Sequence, residues 1–375
     1  MTWELRTAVL GPSAYPAVGI LQSAVPPSGR WRRRSRGIIG SVILSGSEHH
    51  QGAPGMEQHP RDGIPVGISA CLMGEEVRYN GGHKRSRYCL QVLAECFRFE
   101  PFCPELEAGL GVPREPIRLV GRLGETPRAR GTVTTERDVT DELEAVGRTF
   151  VDAHRHLRGF ILMKGSPSCG LERVKVYHEN GMPSHADSGV FVRTLRRHFP
   201  ELPLEEEARM NDPVLRENFI TRIYAMDDWK RHVEPSPSHH ALLQFHSRQK
   251  FLLMAHEVEA YRELGRYLAE AHRVPVEDAM AHYLGRFMAA LSRPATRKTH
   301  TNALMHVMGY LKQALDGETR RDLLAAVEEY RTEQVPLAVP MRLLNHYLRR
   351  HGSEYIRRQS YLDPHPYELG LRNAI

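Results

Sequence analysis

Three cysteines of this 375-residue chain, Cys71, Cys103 and Cys169, each follow a short apolar stretch. The stretches cover residues 66–70, 97–102 and 159–163. If they are neighbouring parallel strands, their carboxyl ends meet at the edge where open α/β sheets bind ligands. Three thiolates would then converge, as in an iron-sulfur site with one iron left open. Intervals of about 30 and about 70 residues suit successive βα units and do not suit a compact CxxC zinc knuckle.

Two other interpretations of these cysteines stay open: three unrelated buried thiols, and a single catalytic cysteine. Gly74 and Gly170 favour a shared metal site, because glycine lets the main chain turn around a bulky inorganic group. The chain has 5 cysteines, and an odd number without an export signal argues for reduced thiols rather than a disulfide framework. We expect the remaining two, Cys89 and Cys96, to be ordinary helix or core residues.

Composition and charge limit the class of protein. A hydrophobic content of 41% in 375 residues is enough for two domains with their own cores, and it excludes disorder as the dominant state. No apolar run of about 18 residues and no clear signal peptide occur, so we expect a soluble cytoplasmic protein. The net charge is +6, and residues 241–375 carry 19 Lys and Arg against 15 Asp and Glu. This mild excess is compatible with nucleic-acid binding and equally with a solvated helical surface.

The order of patterns predicts an α/β fold with a largely parallel sheet and helices on both faces, followed by a separate all-α domain. Residues 1–62 are rich in Pro, Gly and Ser, and we predict a disordered extension there. Residues 63–232 alternate strands with helices, and residues 233–240 form a Pro- and Ser-rich linker. Residues 241–375 are predicted to be helical almost throughout, with an extended tail near residues 361–367.

Several separated motifs occur in order between about residue 64 and about residue 215. They are SACLMG (69–74), VRYNG (77–81), CPE (103–105), GVPR (111–114), RDVT (137–140) and KGSPSCG (164–170). Together they resemble the TudS-type thiouracil desulfidases. The motifs FHSRQK (245–250), NALMHVMGY (302–310) and PLAVP (336–340) resemble the helical domain of YbgA-type proteins. The fusion of the two resembles the RudS-type tRNA 4-thiouridine desulfidases.

This resemblance implies a 4Fe-4S cluster held by Cys71, Cys103 and Cys169, with the fourth iron binding the sulfur of a thiocarbonyl substrate. It also implies two catalytic groups: Glu105 takes a proton from water, and the Ser166 hydroxyl binds the pyrimidine ring or relays that proton. The implied reaction replaces C=S by C=O without net redox change. From the residues alone, Glu105 is also explained as a carboxylate at a helix N-terminus, and Ser166 as a loop residue that bonds its own backbone.

Other polar residues of the α/β domain have two explanations each. Residues near the first cysteine either contact base or phosphate or form a solvated turn; they are Arg78, Tyr79, Asn80, Lys84 and Arg85. Asp138 and Thr140 either face the site or cap the helix predicted over residues 138–157, and capping is the preferred interpretation.

The helical domain carries basic residues that are available to contact an RNA backbone, although plain surface charge explains each of them as well. They are His246, Lys250, Arg262, Arg266, Arg293, Arg297, Lys298 and His300. His256, His300 and His306 have no carboxylate or cysteine at ligand spacing, so we expect core or surface histidines rather than a metal site.

Three functions remain for comparison. The first is a tRNA desulfidase that converts 4-thiouridine to uridine, with the α/β domain performing the chemistry and the helical domain binding RNA. The second keeps this chemistry but acts on free thiouracil or thiouridine nucleotides. The third is a non-catalytic iron-sulfur module that senses redox state or recruits a repair partner, and it predicts four protein ligands. The expected partner is therefore tRNA or a thiolated uracil compound. We expect no association with a membrane.

Overall fold

The first sheet, sheet A, contains the three apolar stretches that precede the cysteines. The computed structural model describes residues 63–375, so the prediction for residues 1–62 lies outside the described residues. The strands of sheet A are β1 (Ile64–Ser69), β2 (Phe97–Phe102), β5 (Phe160–Leu162) and β8 (Leu204–Glu206). All neighbours are parallel, in the order β2, β1, β5, β8. The three stretches are therefore adjacent parallel strands, which confirms the prediction.

Helices cover both faces of sheet A, as the sequence predicts. On one face, the even-numbered apolar residues of β1 pack against α6 (Pro213–His232). On the other face, Phe160 packs against α4 (Thr140–Ala153) and α5 (Val190–His198). Gly67 of β1 permits this second contact, because a Cβ atom there would lie 2.3 Å from the Phe160 ring.

A second four-stranded sheet, sheet B, is an addition that the sequence patterns do not predict. Its strands are β3 (Ile117–Val120), β4 (Arg128–Gly131), β6 (Val174–Tyr177) and β7 (Pro183–Asp187), in the order β4, β3, β6, β7. The central pair is parallel and the two outer pairs are antiparallel. Its apolar face packs against Leu143 of α4 and Val190 of α5, so these two helices support both sheets.

The remaining helices are short in the α/β part and long beyond it. The short ones are α1 (Ala70–Met73), α2 (Arg87–Gln91) and α3 (Pro104–Glu107). The later ones are α7 (His239–His256), α8 (Val258–Glu270), α9 (Val276–Leu291), α10 (Arg297–Met308), α11 (Gly317–Arg331), α12 (Ala338–His351) and α13 (Glu354–Arg357). The helical prediction for this region is confirmed. None of the described helices is long and apolar enough to cross a membrane.

Helix α6 contributes to two hydrophobic cores. Phe219 and Ile223 pack beneath sheet A, whereas Trp229 packs against Phe245 of α7 and Tyr283 of α9. The predicted linker corresponds to the turn between α6 and α7. The α/β and helical parts therefore share α6. The domain boundaries that the sequence places at residues 232 and 241 remain predictions.

The end of the chain differs from the extended tail that the sequence predicts. Three short 3-10 turns lie between residues 360 and 373. Tyr361 is fully buried, and the Arg372 Nε atom lies 3.3 Å from Glu217 Oε1 on α6. Two prolines in this segment indicated an extended course, but burial of its aromatic and apolar side chains folds it back onto the body.

Candidate metal centre and active site

Each of the three predicted ligands follows the carboxyl end of a strand of sheet A. Cys71 lies in α1 directly after β1, and Cys103 is the residue that precedes α3 after β2. Cys169 is placed by the loop that follows β5. All three line one cavity of about 190 Å³. The structure thus brings the three cysteines together, and their role as ligands stays a prediction.

The three thiols affect one another electrostatically. Burial, followed by the neighbouring Cys103, raises the pKa of Cys71 to about 11. Burial, followed by Cys103, Glu105 and Cys71, raises the pKa of Cys169 well above its usual value. Burial also raises the pKa of Cys103. Three thiolates in this cavity would repel one another, so a bound cation is required to hold them in the ionised form.

The donor set of three thiols is of the type that binds iron-sulfur clusters. Among residues 63–375, no group of three His, Cys, Asp or Glu side chains is arranged to hold one metal ion. The ligands of an iron-sulfur cluster are thiolates that bind different iron atoms, so they do not need to meet at one point. Cys89 is buried in the sheet A core and Cys96 packs at its edge, and neither lines the cavity. The expectation that these two are core residues agrees with this placement.

Glu105 lies on the cavity wall, in the first turn of α3. Its Oε2 atom accepts hydrogen bonds from Arg114, at 2.9 Å from Nε and 2.7 Å from Nη2. Only 4% of the Arg114 side chain and 12% of the Glu105 side chain are exposed, so this pair is shielded from solvent. Arg114 also donates to the carbonyl oxygens of Val77 and Gly111, which joins the segment after Cys71 to the segment after α3.

The second oxygen of Glu105 faces two serine hydroxyls. Ser168 Oγ donates to Glu105 Oε1 at 2.5 Å, and Ser166 Oγ donates to the same atom at 3.4 Å. The two hydroxyls are themselves 2.9 Å apart. Ser166 Oγ also accepts the backbone N–H of Cys169 at 3.1 Å. Ser166 therefore faces Glu105 and also bonds its own loop, so the two explanations derived from the sequence describe one arrangement.

Arg114 and Ser168 were not assigned a role from the sequence. Both lie inside motifs that carry the family resemblance, GVPR and KGSPSCG. Ser168 is completely buried and Arg114 lies nine residues after its carboxylate partner, so hydropathy and spacing carry no signal for either contact. The one sequence signal for Ser168 was its position two residues after Ser166, a predicted catalytic residue.

The rim of the cavity is basic and aromatic. Arg78, Tyr79 and Lys164 line it, and Arg78 lies over the Tyr79 ring with its guanidinium carbon 5.5 Å from the ring centroid. Asn80 accepts the backbone N–H of Gly82 and forms a turn. The two other basic residues that the sequence singled out here are exposed and do not line the cavity; they are Lys84 and Arg85.

Asp138 and Thr140 lie outside the cavity lining. Asp138 pairs with Arg128, and its Oδ1 atom accepts the backbone N–H of Thr140 at 3.0 Å. Thr140 Oγ1 accepts the backbone N–H of Ala129 in β4. The N-cap residue of α4 is Val139, which makes no side-chain cap bond. These two residues therefore join α4 to sheet B rather than capping the helix through the N-cap position.

The histidines of the helical part are core or surface residues. His256 and His300 are buried and bond the Arg293 carbonyl and the Tyr361 hydroxyl, respectively. His306 is exposed. Burial lowers the pKa of His300 to about 3, so its ring is neutral at physiological pH.

Comparisons with known proteins cover both parts of the chain. Residues 66–207 match the family model described as 2-thiouracil desulfurase, and residues 250–366 match DUF1722, a protein family of unknown function. The uncharacterized protein YbgA of Escherichia coli K12 is 33% identical over 156 residues, which are 41% of this chain and 92% of that protein. The uncharacterized protein YbbK of Bacillus subtilis 168 is 35% identical over 108 residues, which are 28% of this chain and 71% of that protein.

One solved structure is also similar, that of the 4Fe-4S-dependent thiouracil desulfidase TudS. It is 29% identical, and the match covers 40% of this chain and 94% of that chain with a TM-score of 0.31. From the family models and the two relatives, the chain belongs to the 2-thiouracil desulfurase family in its TudS-type part and to the DUF1722 family in its YbgA-type part.

Proposed function

We propose that this protein is a desulfidase that replaces the thiocarbonyl sulfur of 4-thiouridine in tRNA by oxygen. The observation that carries the proposal is the cavity itself, because three thiols and the Glu105 carboxylate face the same space. The overall change is a hydrolysis: the oxygen of water replaces sulfur, sulfur leaves as sulfide, and no electrons are gained or lost. Membership in the thiouracil desulfurase family supports this class of reaction.

The cofactor in this proposal is a 4Fe-4S cluster held by Cys71, Cys103 and Cys169. The thiouracil desulfidase TudS, to which this chain is similar, depends on such a cluster. When bound, a cluster with three protein ligands supplies a thiophilic Lewis acid at the cavity, which favours thiocarbonyl over carbonyl substrates. The two other cysteines lie away from the cavity, so the structure offers no support for the sensor hypothesis, which predicts four protein ligands.

The chain's own residues supply the proton chemistry. Glu105 Oε1 is positioned to accept a proton from water, and a carboxylate within hydrogen-bonding reach is a suitable general base. Arg114 occupies Oε2 with two donors, which fixes the plane of the carboxylate and directs Oε1 to the serine side. Ser166 lines the cavity and its hydroxyl donates to Oε1 at 3.4 Å, a place from which it binds the pyrimidine ring or passes on the proton.

The choice of tRNA as the substrate depends on the helical part. Most of the basic residues that the sequence singled out there are engaged or buried: His246, Lys250, Arg262, Arg293, Arg297 and His300. Arg266 and Lys298 are exposed and have no acidic partner within 4.0 Å among residues 63–375. Such free charges suit contacts to RNA phosphates, which position a substrate without reading its sequence.

The experiment that tests the proposal compares Glu105→Gln with Glu107→Gln, a matched control on the exposed side of the same short helix. Anaerobically purified full-length protein is assayed for iron, sulfide and conversion of 4-thiouridine to uridine. We expect the Glu105 variant to keep its iron. Its kcat should be at least about 100-fold lower than that of the wild type, because a general base has been removed. The Glu107 variant should resemble the wild type.

Parallel assays use thiolated tRNA, 4-thiouridine and free 4-thiouracil. The proposal requires the highest kcat/KM for thiolated tRNA. A protein that binds the cluster but converts none of the three compounds would overturn the enzymatic assignment. Equal kcat/KM for the free base and tRNA would instead favour the small-molecule alternative.

A further inference from the structure

A second cavity lies on the outer face of sheet B. In β3 and β4, the residues that alternate with Leu119 and Ala129 point away from the apolar core that packs against α4 and α5. Arg118 of β3 and Arg130 of β4 are two of them, and both line a cavity of about 270 Å³. This cavity shares no lining residue with the one that holds the three cysteines. Its volume is far above the roughly 10–15 Å³ that one bound water needs, so a small molecule fits.

The two arginines stand directly opposite each other. Strands β3 and β4 are antiparallel, and Arg118 pairs in register with Arg130. Like charges in this arrangement repel, because the Cβ atoms of opposed residues lie only about 5 Å apart. Both side chains are half-buried, so solvent screens the repulsion less than it would on an open surface. An anion between the two guanidiniums would replace this repulsion by two attractive contacts.

The Arg118 guanidinium has no hydrogen-bonding or charged partner in the described part of the chain. Its Nε atom is buried without an acceptor, and the group forms no ion pair among residues 63–375. The guanidinium carbon lies 5.6 Å from the centroid of the Tyr177 ring on β6, so one face of the group is supported by an aromatic ring. A buried donor without an acceptor is destabilising, and this position therefore suits an oxygen atom of a ligand.

The acidic neighbours of Arg130 hold it loosely. Its Nη1 atom lies 3.5 Å from Glu179 Oε1 and its Nε atom lies 3.6 Å from Asp138 Oδ2, both beyond the usual hydrogen-bond range of about 2.7–3.2 Å. Asp138 lies closer to Arg128 than to Arg130. Glu179 lines the cavity with a side chain that is 84% exposed, and exposed ion pairs contribute little to stability. A more strongly bound anion can therefore displace Glu179 from Arg130.

We propose that Arg118 and Arg130 bind a phosphate group in this cavity, either inorganic phosphate or the end group of a small phosphorylated compound. Two guanidinium forks offer more donors than the two oxygens of a carboxylate can accept, whereas a phosphate monoester has three such oxygens and a charge of about −2. Glu179 competes with the phosphate for Arg130. The other carboxylate of the lining, Glu136, is exposed and accepts the Thr135 hydroxyl at 3.3 Å. The site does not depend on the desulfidase activity.

Binding of inorganic phosphate tests the proposal without turnover. The full-length protein is purified anaerobically and titrated by calorimetry at constant ionic strength and about pH 8, where phosphate is mostly a dianion. Arg118→Met keeps an apolar stem on Tyr177 and removes the donors, so the affinity should fall at least about tenfold. The control Arg122→Ala removes an exposed arginine outside the cavity and should leave the affinity unchanged. A wild type that does not bind phosphate, or an Arg118→Met variant that binds it equally well, would overturn the proposal.

Glu179→Gln should change the affinity in the opposite direction. It removes the charge that competes for Arg130, so phosphate should bind about threefold tighter, as expected for the loss of an exposed ion pair. Glu125→Gln is the control, because Glu125 is exposed and lies outside the cavity. Glu179 is largely exposed, so its replacement leaves the fold intact and decides the question if Arg118→Met does not fold. Unchanged affinity in the Glu179 variant would refute a phosphate site at Arg130.

Three further compounds define the class of anion. Glycerol 3-phosphate is a monoester, and binding of both it and inorganic phosphate would indicate a phosphorylated compound as the ligand. Binding of inorganic phosphate alone would indicate the free ion. Dimethyl phosphate and acetate carry one charge each and should bind at least about tenfold more weakly than inorganic phosphate. Equal affinity for dimethyl phosphate would point to the backbone of a nucleic acid and overturn the assignment of a dianion, and equal affinity for acetate would overturn the assignment of phosphate.

Discussion

Arg114 holds one oxygen of Glu105 with two of its nitrogens, Nε at 2.9 Å and Nη2 at 2.7 Å, while the other carboxylate oxygen faces the serine hydroxyls. Two donors on one side restrict rotation of the carboxylate, and the third nitrogen, Nη1, binds two backbone carbonyls. The guanidinium thus connects the candidate base to the main chain at Val77 and at Gly111. Arg114 acts through Glu105 and is a positioning residue rather than a catalytic one.

Replacing Arg114 should therefore impair turnover and stability together. Arg114→Ala leaves the largely buried Glu105 without its ion-pair partner, and breaking such a pair costs about 3 kcal/mol. We expect a lower midpoint of urea unfolding and at least about tenfold lower kcat. Arg114→Lys keeps the charge but not the two-donor geometry, so it should recover more of the stability than of the kcat. Equal recovery of both would contradict a positioning role.

The two serines should respond differently to removal of their hydroxyls. Ser168→Ala removes the donor that lies 2.5 Å from Glu105 Oε1, and we expect about tenfold lower kcat with iron retained. Ser166→Ala also removes the acceptor for the Cys169 N–H, so we expect loss of iron as well as of activity. Iron content per chain and uridine formation measure the two effects. Iron loss in the Ser168 variant alone would reverse this assignment.

The sequence predicted the part of the site that follows apolar strands, and it missed the part made by polar contacts. The stretches before Cys71 and Cys169 are almost wholly buried, so hydropathy alone indicates parallel strands there. The stretch before Cys103 is the edge strand β2, which is only partly buried. Sheet B was missed because strands such as β4, with the sequence RARG, are short and polar. The contact between Ser168 and Glu105 spans 63 residues, and such a pairing appears only when the chain is folded.

Replacing a single predicted ligand should abolish binding of the cofactor. Cys169→Ser substitutes a weaker, neutral ligand at a buried position, so we expect iron to fall from about four per chain to near zero, with loss of visible absorbance. Cys96→Ser is the control, because Cys96 is half-buried and lies outside the cavity. It should retain iron and turnover. Full iron content in the Cys169 variant would refute the three-cysteine site.

The junction between α6 and the chain end should be important for stability. Arg372 Nε lies 3.3 Å from Glu217 Oε1, and both side chains are buried. Although burial favours the neutral acid, His365 and Arg372 hold the pKa of Glu217 well below its usual value. Arg372→Met removes the permanently charged partner of this buried carboxylate and should cost about 3–5 kcal/mol in urea unfolding. Arg358→Met breaks the exposed pair with Glu354 and should cost less than about 1 kcal/mol.

Acid should destabilise the helical part through His246. Its ring stacks on Tyr261 and bonds the Tyr283 hydroxyl, and burial followed by the charge of Lys250 lowers its pKa to about 4. Below pH 6.5 the unfolded chain binds a proton that the folded chain does not, so the free energy of unfolding decreases as the pH falls towards 4. Between pH 7 and pH 5 this group should account for about 2 kcal/mol.

His246→Gln should remove this share of the pH dependence, because glutamine keeps a polar partner for Tyr283 and does not titrate. His306→Gln is the control, since His306 is exposed on α10 and should leave the pH dependence as it is in the wild type. Urea unfolding of each protein at pH 7 and pH 5 gives the comparison. If His246→Gln loses as much stability as the wild type on acidification, the neutral buried state of this ring is disproved.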